Sequence, residues 1–222
     1  MAKKLGDAKA LAVDTETDSL GALTSNMLGF SLSEKEAQAY YVLADFVREF
    51  KDILENNKIK KFGHNIKYEI GVFSKVGIKL APIFFDSMVA SYLLHPTGRS
   101  HSLDNLAFVE LRHQMVPITD LIGPKGKKQL SLSDINKDRV ADYAAEDADY
   151  TLRLTKKLSK ELEKEGFAQL MRDIEMSLVP VLADMEENGI KIDAKFLLNM
   201  SKEVGTDIAK LEKNIFKESG TK

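Results

Sequence analysis

Apolar and polar positions fall into blocks whose period changes along the chain. Three short apolar runs come early: Ala8 to Val13, Leu28 to Leu32, and Ala39 to Leu43 with Tyr40, Tyr41 and Val42. Turn residues around Asn26 and the charged Glu34 to Glu36 separate them, which predicts an antiparallel meander. Helical spacing then takes over. Phe46, Phe50, Ile53 and Leu54 fit one helix, Ile59 to Gly63 a short buried strand, and Ile66, Ile70 and Phe73 a second helix that stops before Gly77. Phe84-Phe85 runs into Asp86, whose simplest role is N-cap for a helix over Met88 to Leu94. After a turn at His95 to Gly98, Leu103 to Leu111 reads as a helix and Pro117 to Gln129 as an exposed loop. A long helix follows from about Lys137 to Glu165, closed by Gly166. The remainder, 167–222, reads as two helical stretches divided at Asn188-Gly189, with apolar faces for which this chain offers no partner. The expected architecture is α/β with helices accumulating toward the C-terminus.

Composition changes this picture little. The 222 residues include 44% apolar positions, enough for a core without covalent staples. There is no cysteine, which excludes disulfides, iron–sulfur clusters, thiolate zinc sites and a cysteine nucleophile. The four histidines do not make a zinc site. With 32 basic and 34 acidic residues the net charge is −2, so any affinity for nucleic acid has to come from local arrangement. Lys60-Lys61 and Lys125 to Lys128 are local candidates for phosphate contact, although exposed lysines are usually solvated surface. No apolar run is long enough to span a bilayer and Met1 to Lys9 lacks a signal-peptide stretch, so a soluble, intracellular monomer without membrane contact is expected.

Carboxylates on core-facing registers carry the chemistry. In the long helix the inward stripe is Val140, Tyr143, Ala144, Asp147, Thr151, Leu154, Leu158 and Leu162, so Asp147 needs a partner. Glu69 shares a helical face with Ile66, Ile70 and Phe73. Asp14 and Glu16, two apart at the end of a strand, point to the same side. Taken singly, an Asp-x-Glu after a strand is more often a turn or helix cap, Asp147 is as often a buried carboxylate held by an arginine or a backbone amide, and Glu69 is more often a residue at the edge of an apolar face. Together they would repel in an empty site and raise one another's pKa. Divalent cations would neutralise them, and oxygen-only ligation suits Mg²⁺ or Mn²⁺ better than Zn²⁺.

Val13-Asp14-Thr15-Glu16-Thr17-Asp18-Ser19-Leu20, Gly63-His64-Asn65-Ile66-Lys67-Tyr68-Glu69 and Tyr143-Ala144-Ala145-Glu146-Asp147-Ala148 closely resemble, in order and spacing, the three exonuclease motifs of the 3′→5′ proofreading domain of bacterial DNA polymerase I, Klenow-fragment type. The tyrosine four residues before Asp147 resembles the DEDDy branch of the DnaQ-like, RNase H-like exonucleases. Ile174 to Leu182 and Asn188 to Asp193 resemble the entry into the polymerase domain and its first thumb helix, which RNase D-type relatives lack.

The resemblance implies an RNase H-like α/β fold with a mixed central sheet flanked by helices, an exonuclease domain over 1–166, and a truncated helical start of a polymerase over 167–222. It implies hydrolysis of the 3′-terminal phosphodiester of single-stranded or frayed DNA with two Mg²⁺ or Mn²⁺ ions, and no polymerase activity from this fragment. Asp14, Glu16 and Asp147 would hold one metal, Asp14 and Glu69 the second, and Tyr143 would orient the attacking water. Leu20, His64, Asn65, Tyr68 and Arg99 would contact the 3′ end. Partners would be single-stranded DNA and the remainder of a family A polymerase, in a bacterial cytoplasm or a phage-infected cell. Two positions depart from the pattern: Glu69 stands where the family has Asp, and Ser100 where it has Arg. Glu69 keeps open a catalytically silent module that braces a polymerase. An RNase D-type RNA exonuclease is the further alternative.

Overall fold

The computed structural model describes residues 2–98, 100–126 and 128–220. It divides into two compact units, Met1–Glu187 and Asn188–Lys222. The first is built on five strands, β1 (Ala10–Thr17), β2 (Met27–Lys35), β3 (Gln38–Leu43), β4 (Lys60–Gly63) and β5 (Ile83–Asp86), in the order β3-β2-β1-β4-β5. β1, β2 and β3 pair antiparallel, as the early runs predict, whereas β4 and β5 join in parallel on the other side of β1. Parallel neighbours need crossovers, and helices supply them.

The helices are α1 (Ala2–Leu5), α2 (Lys51–Leu54), α3 (Lys67–Lys75), α4 (Ser87–Leu94), α5 (Leu103–Leu111), α6 (Ile118–Ile122), α7 (Lys137–Lys164), α8 (Ala168–Leu170), α9 (Met176–Asn188) and α10 (Ala194–Ser219). Two expectations change in detail. Residues Ala44–Phe50 form a 3₁₀ helix ahead of the single turn of α2, where the apolar spacing predicts one helix. The 117–129 stretch, expected as a loop, contains α6, which buries Leu121.

Alternation along the strands sorts the core. Leu11, Val13, Phe30 and Leu32 are fully buried, and Phe30 packs edge-on against Phe50 and Phe73 at 5.4 and 5.6 Å. On α7, Leu154, Leu158 and Leu162 continue the core stripe. The core extends past residue 166 through Met171, Met176 and Val179, and the compact unit runs through α8 and α9 to Glu187.

Lys61 corrects the phosphate-contact expectation at Lys60-Lys61. Its side chain is fully buried, and Nζ donates to the carbonyls of Asn56, Ile59 and Ala81 at 2.9, 2.9 and 2.7 Å. Lys60 is exposed over the Phe84 ring, 3.8 Å from its centroid. In the second unit α10 is capped by Asp193, whose carboxylate accepts from the Phe196 amide at 2.9 Å, and its apolar residues are exposed.

Candidate active site

β1 ends the buried part of the sheet with Asp14 and Glu16 on one face, and α7 crosses that face. One carboxylate oxygen from each of Asp14, Glu16 and Asp147 lies within 4.8 Å of the others. Two segments more than a hundred residues apart in sequence thus place three acids in one spot. Glu16 and Asp147 are buried and Asp14 is half-buried.

Burial pushes the Asp14 carboxyl up to about 7. Glu16 is raised well above the ordinary carboxylate range by burial, then by the charges of Asp14 and Asp147. Asp147 rises through burial and Asp14, partly offset by its hydrogen bond with Tyr143 one turn earlier. Tyr143 is itself held far above the usual phenol range by burial and by Asp147, Glu16 and Asp14, so its hydroxyl remains a donor. Glu16 Oε1 is buried with no protein hydrogen-bond partner. An oxygen-only cluster with an orphaned buried acceptor fits a hard divalent cation.

Glu69, in the first turn of α3, approaches differently. The residue is 3% exposed, Thr15 Oγ1 donates to Oε1 at 3.4 Å, and Oε2 has no protein partner. Thr15 alternates with Asp14 and Glu16 and so faces the opposite side of the sheet. Glu69 is near enough to Asp14 for that charge to raise its pKa after burial does, yet it lies outside the three-acid group.

The turn from β4 into α3 is fixed from a distance. Asn65 adopts a left-handed conformation, φ 62°, which Asn tolerates better than most residues. Asp86 caps α4, accepting from the Met88 and Val89 amides at 2.8 and 3.2 Å, as its position at the end of Phe84-Phe85 predicts. It also accepts from the Asn65 and Ile66 amides at 3.1 and 2.7 Å, tying the second motif to β5. That second role has no local signal, because its donors lie twenty residues upstream.

The expected 3′-end contacts have separate environments. Leu20 is 96% exposed on the loop after β1. That loop is held by the Asp18 carboxylate, which accepts from the Asn26 amide and Nδ2 at 2.8 and 2.7 Å. Ser131 Oγ donates to the Asp18 carbonyl at 2.9 Å, and this link across 113 residues is another that sequence reasoning missed. Tyr68 and Thr17 hydroxyls lie 2.8 Å apart. Asn65 is exposed, whereas His64 turns to Ser87, its Nδ1 2.9 Å from Oγ, and burial lowers its pKa to about 4. Arg99 lies outside the described residues. His113 packs against Glu146 and Tyr150, and His101 against Ser91.

A mixed α/β sheet carrying a three-carboxylate centre between its central strand and a long helix defines a metal-dependent nuclease fold. The chain belongs to the 3′–5′ exonuclease family, whose profile matches residues 1–163. It is 38% identical to DNA polymerase I of Pseudomonas aeruginosa over 98% of this chain and 26% of that protein. DNA polymerase I of Chloroflexus aurantiacus is 34% identical over 99% and 24%. The chain therefore spans about a quarter of the length of these curated relatives.

Among solved structures, the POL domain of Pol1 from M. smegmatis in complex with DNA primer-template and dNTP superposes with a TM-score of 0.76 at 18% identity, covering 99% of this chain and 36% of that one. Brucella melitensis NrnC with bound Mg²⁺ gives 0.65 at 20%, covering 85% and 92%. Escherichia coli RNase D gives 0.64 at 19%, covering 83% and 47%. These likenesses establish the RNase H-like, DnaQ-like fold. Members of the family normally use divalent metals.

Proposed function

We propose that the chain is the proofreading exonuclease of a longer family A polymerase, removing nucleotides from a single-stranded or frayed 3′ DNA end with two Mg²⁺ ions. The observation that carries this is the cluster of Asp14, Glu16 and Asp147 on motifs of a 3′–5′ exonuclease family member. Asp14, Glu16 and Asp147 would hold one ion, and Glu69 would support a second beside Asp14. Bound there, divalent cations supply charge neutralisation and lower the pKa of water.

The reaction is a hydrolysis. A water oxygen attacks phosphorus, the bond to the 3′-oxygen breaks, that oxygen takes up a proton, and a 5′-mononucleotide leaves. Tyr143, protonated at neutral pH, would position the water through its hydroxyl and would not act as base. Leu20 and Tyr68 offer apolar and stacking surface that any base satisfies, with Asn65 beside them and Arg99 as a further contact. His64, held by Ser87, would act by shaping the turn that presents Asn65. Exonuclease and polymerase-derived helices would divide at 166/167, and the protein would act as a monomeric part of its polymerase in the bacterial cytoplasm or a phage-infected cell. No helix among the described residues is long and apolar enough to cross a membrane.

Incubation with 3′-labelled single-stranded DNA and Mg²⁺ tests the reading. Mononucleotide should appear, chelation should stop it, and Asp14→Ala should abolish it. Release that persists in Asp14→Ala would refute the assignment.

A further inference from the structure

Tyr41 has no part in the site as the motifs describe it, yet its ring reaches toward Glu16. β2 pairs Ser31 with Asp14 and Gly29 with Glu16, and β3 pairs Tyr41 with Ser31. Residues directly opposite on neighbouring strands share a face of the sheet. Asp14, Glu16, Gly29, Ser31 and Tyr41 therefore lie on the face that also receives Asp147.

The phenol leans diagonally across that face. A Cβ on Gly29 would overlap both Tyr41 Cζ and its hydroxyl oxygen, so the ring tip occupies the space a side chain would fill. Only glycine permits this approach. The hydroxyl thus sits over the residue paired with Glu16, and paired Cα atoms in antiparallel ladders are ~4.5–5.5 Å apart. Glu16 Oε1 is buried without a protein donor. The Glu16 charge acts on the phenol, and a phenol carries its proton at neutral pH, so the hydroxyl can donate.

We propose that Tyr41 is a positioning residue for Glu16: over the floor left by Gly29, its hydroxyl donates through one water to the Glu16 carboxylate and fixes how that carboxylate is turned toward the cation. The inference rests on the reading that Asp14, Glu16 and Asp147 hold a divalent ion. Outer partners of metal ligands fix the ligand's orientation, and losing one typically weakens metal binding by ~10–100-fold.

Mn²⁺ binding to the whole chain, followed without substrate by the electron paramagnetic resonance of free Mn²⁺, tests it. Tyr41→Phe retains the ring and should weaken Mn²⁺ binding by about tenfold, with the melting temperature in EDTA unchanged. Gly29→Ala, which displaces the ring, should weaken binding similarly. Tyr40→Phe is the control, since Tyr40 accepts from Lys4 Nζ and Gln38 Nε2 on the alternate face and should leave Mn²⁺ affinity as it was. Unchanged affinity in Tyr41→Phe overturns the proposal. So does a loss that merely tracks a lower melting temperature in EDTA, or one that Tyr40→Phe reproduces. Failure of the unsubstituted chain to bind Mn²⁺ overturns the reading of the site, and the proposal with it.

Discussion

Burial makes the acids of the site costly to the metal-free fold. Asp14 has a folded pKa of about 7 against an ordinary 3.8, so between those values the native state binds more protons than the unfolded chain. Stability in EDTA should therefore fall as pH rises from about 4 to 7, and the melting temperature gained on adding Mg²⁺ should be larger at pH 8 than at pH 5. By the same reasoning Asp14→Asn should stabilise the metal-free protein at pH 8, by on the order of 2 kcal/mol, while removing activity. Urea titration in EDTA measures the first effect and mononucleotide release the second. Lys61 has the reverse relation to its surroundings. Lys61→Met keeps the chain length but leaves the carbonyls of Asn56, Ile59 and Ala81 without their shared donor, and should cost about 1–3 kcal/mol. In sequence Lys60-Lys61 is a charge pair on the surface. Strand alternation turns the two side chains to opposite sides, and only the packed fold decides that Lys61 is the one inside.

At the scale of elements, α7 distributes three acids within four residues, Glu146, Asp147 and Asp149, to three tasks. Successive residues on a helix point about 100° apart. Glu146 accepts from the Val116 amide at 2.9 Å and meets His113 at 2.8 Å, Asp147 enters the site, and Asp149 accepts from the Ala37 amide of the β2–β3 turn at 2.8 Å and from Arg153. Asp149→Ala should destabilise by about 2–3 kcal/mol while leaving most activity, because its donors lie away from the acids. Asp86→Ala should lower both stability and activity, since it frees the cap of α4 and the turn that carries Tyr68 and Glu69. Chemical denaturation beside DNA hydrolysis separates the two outcomes. The periodic stripe that marks α7 in sequence is sharp over eight positions, so this helix and the place of Asp147 on it are legible. α6 is not, because five residues are too few to show a period, and Leu121 becomes an inward position only once α7 lies beneath it.

The whole molecule divides where chemistry and packing change together. Asp14, Glu16, Glu69, Tyr143 and Asp147 all belong to the unit Met1–Glu187, whereas α10 presents Phe196, Met200, Val204, Ile208, Leu211 and Ile215 exposed along one face. A chain ending at Glu187 should keep its fold and its nuclease activity, and should bind less of a dye that reports exposed apolar surface. Loss of activity in that shortened chain, with its circular dichroism intact, would show that the second unit contributes to the site.

Local pattern in the sequence determined the strands, the long helix, the cap at Asp86 and the pairing of Asp14 with Glu16 on one face, because each depends on spacing within a few residues. It also carried the resemblance to the exonuclease motifs. The tertiary structure alone decided that Thr15 faces Glu69, that Asp86 also holds the Asn65 turn, that Lys61 is buried, and that Tyr41 lies across Gly29 toward Glu16. Each of these joins residues from separate strands and helices, and such contacts exist only once register and sheet order have been fixed by burial of the core.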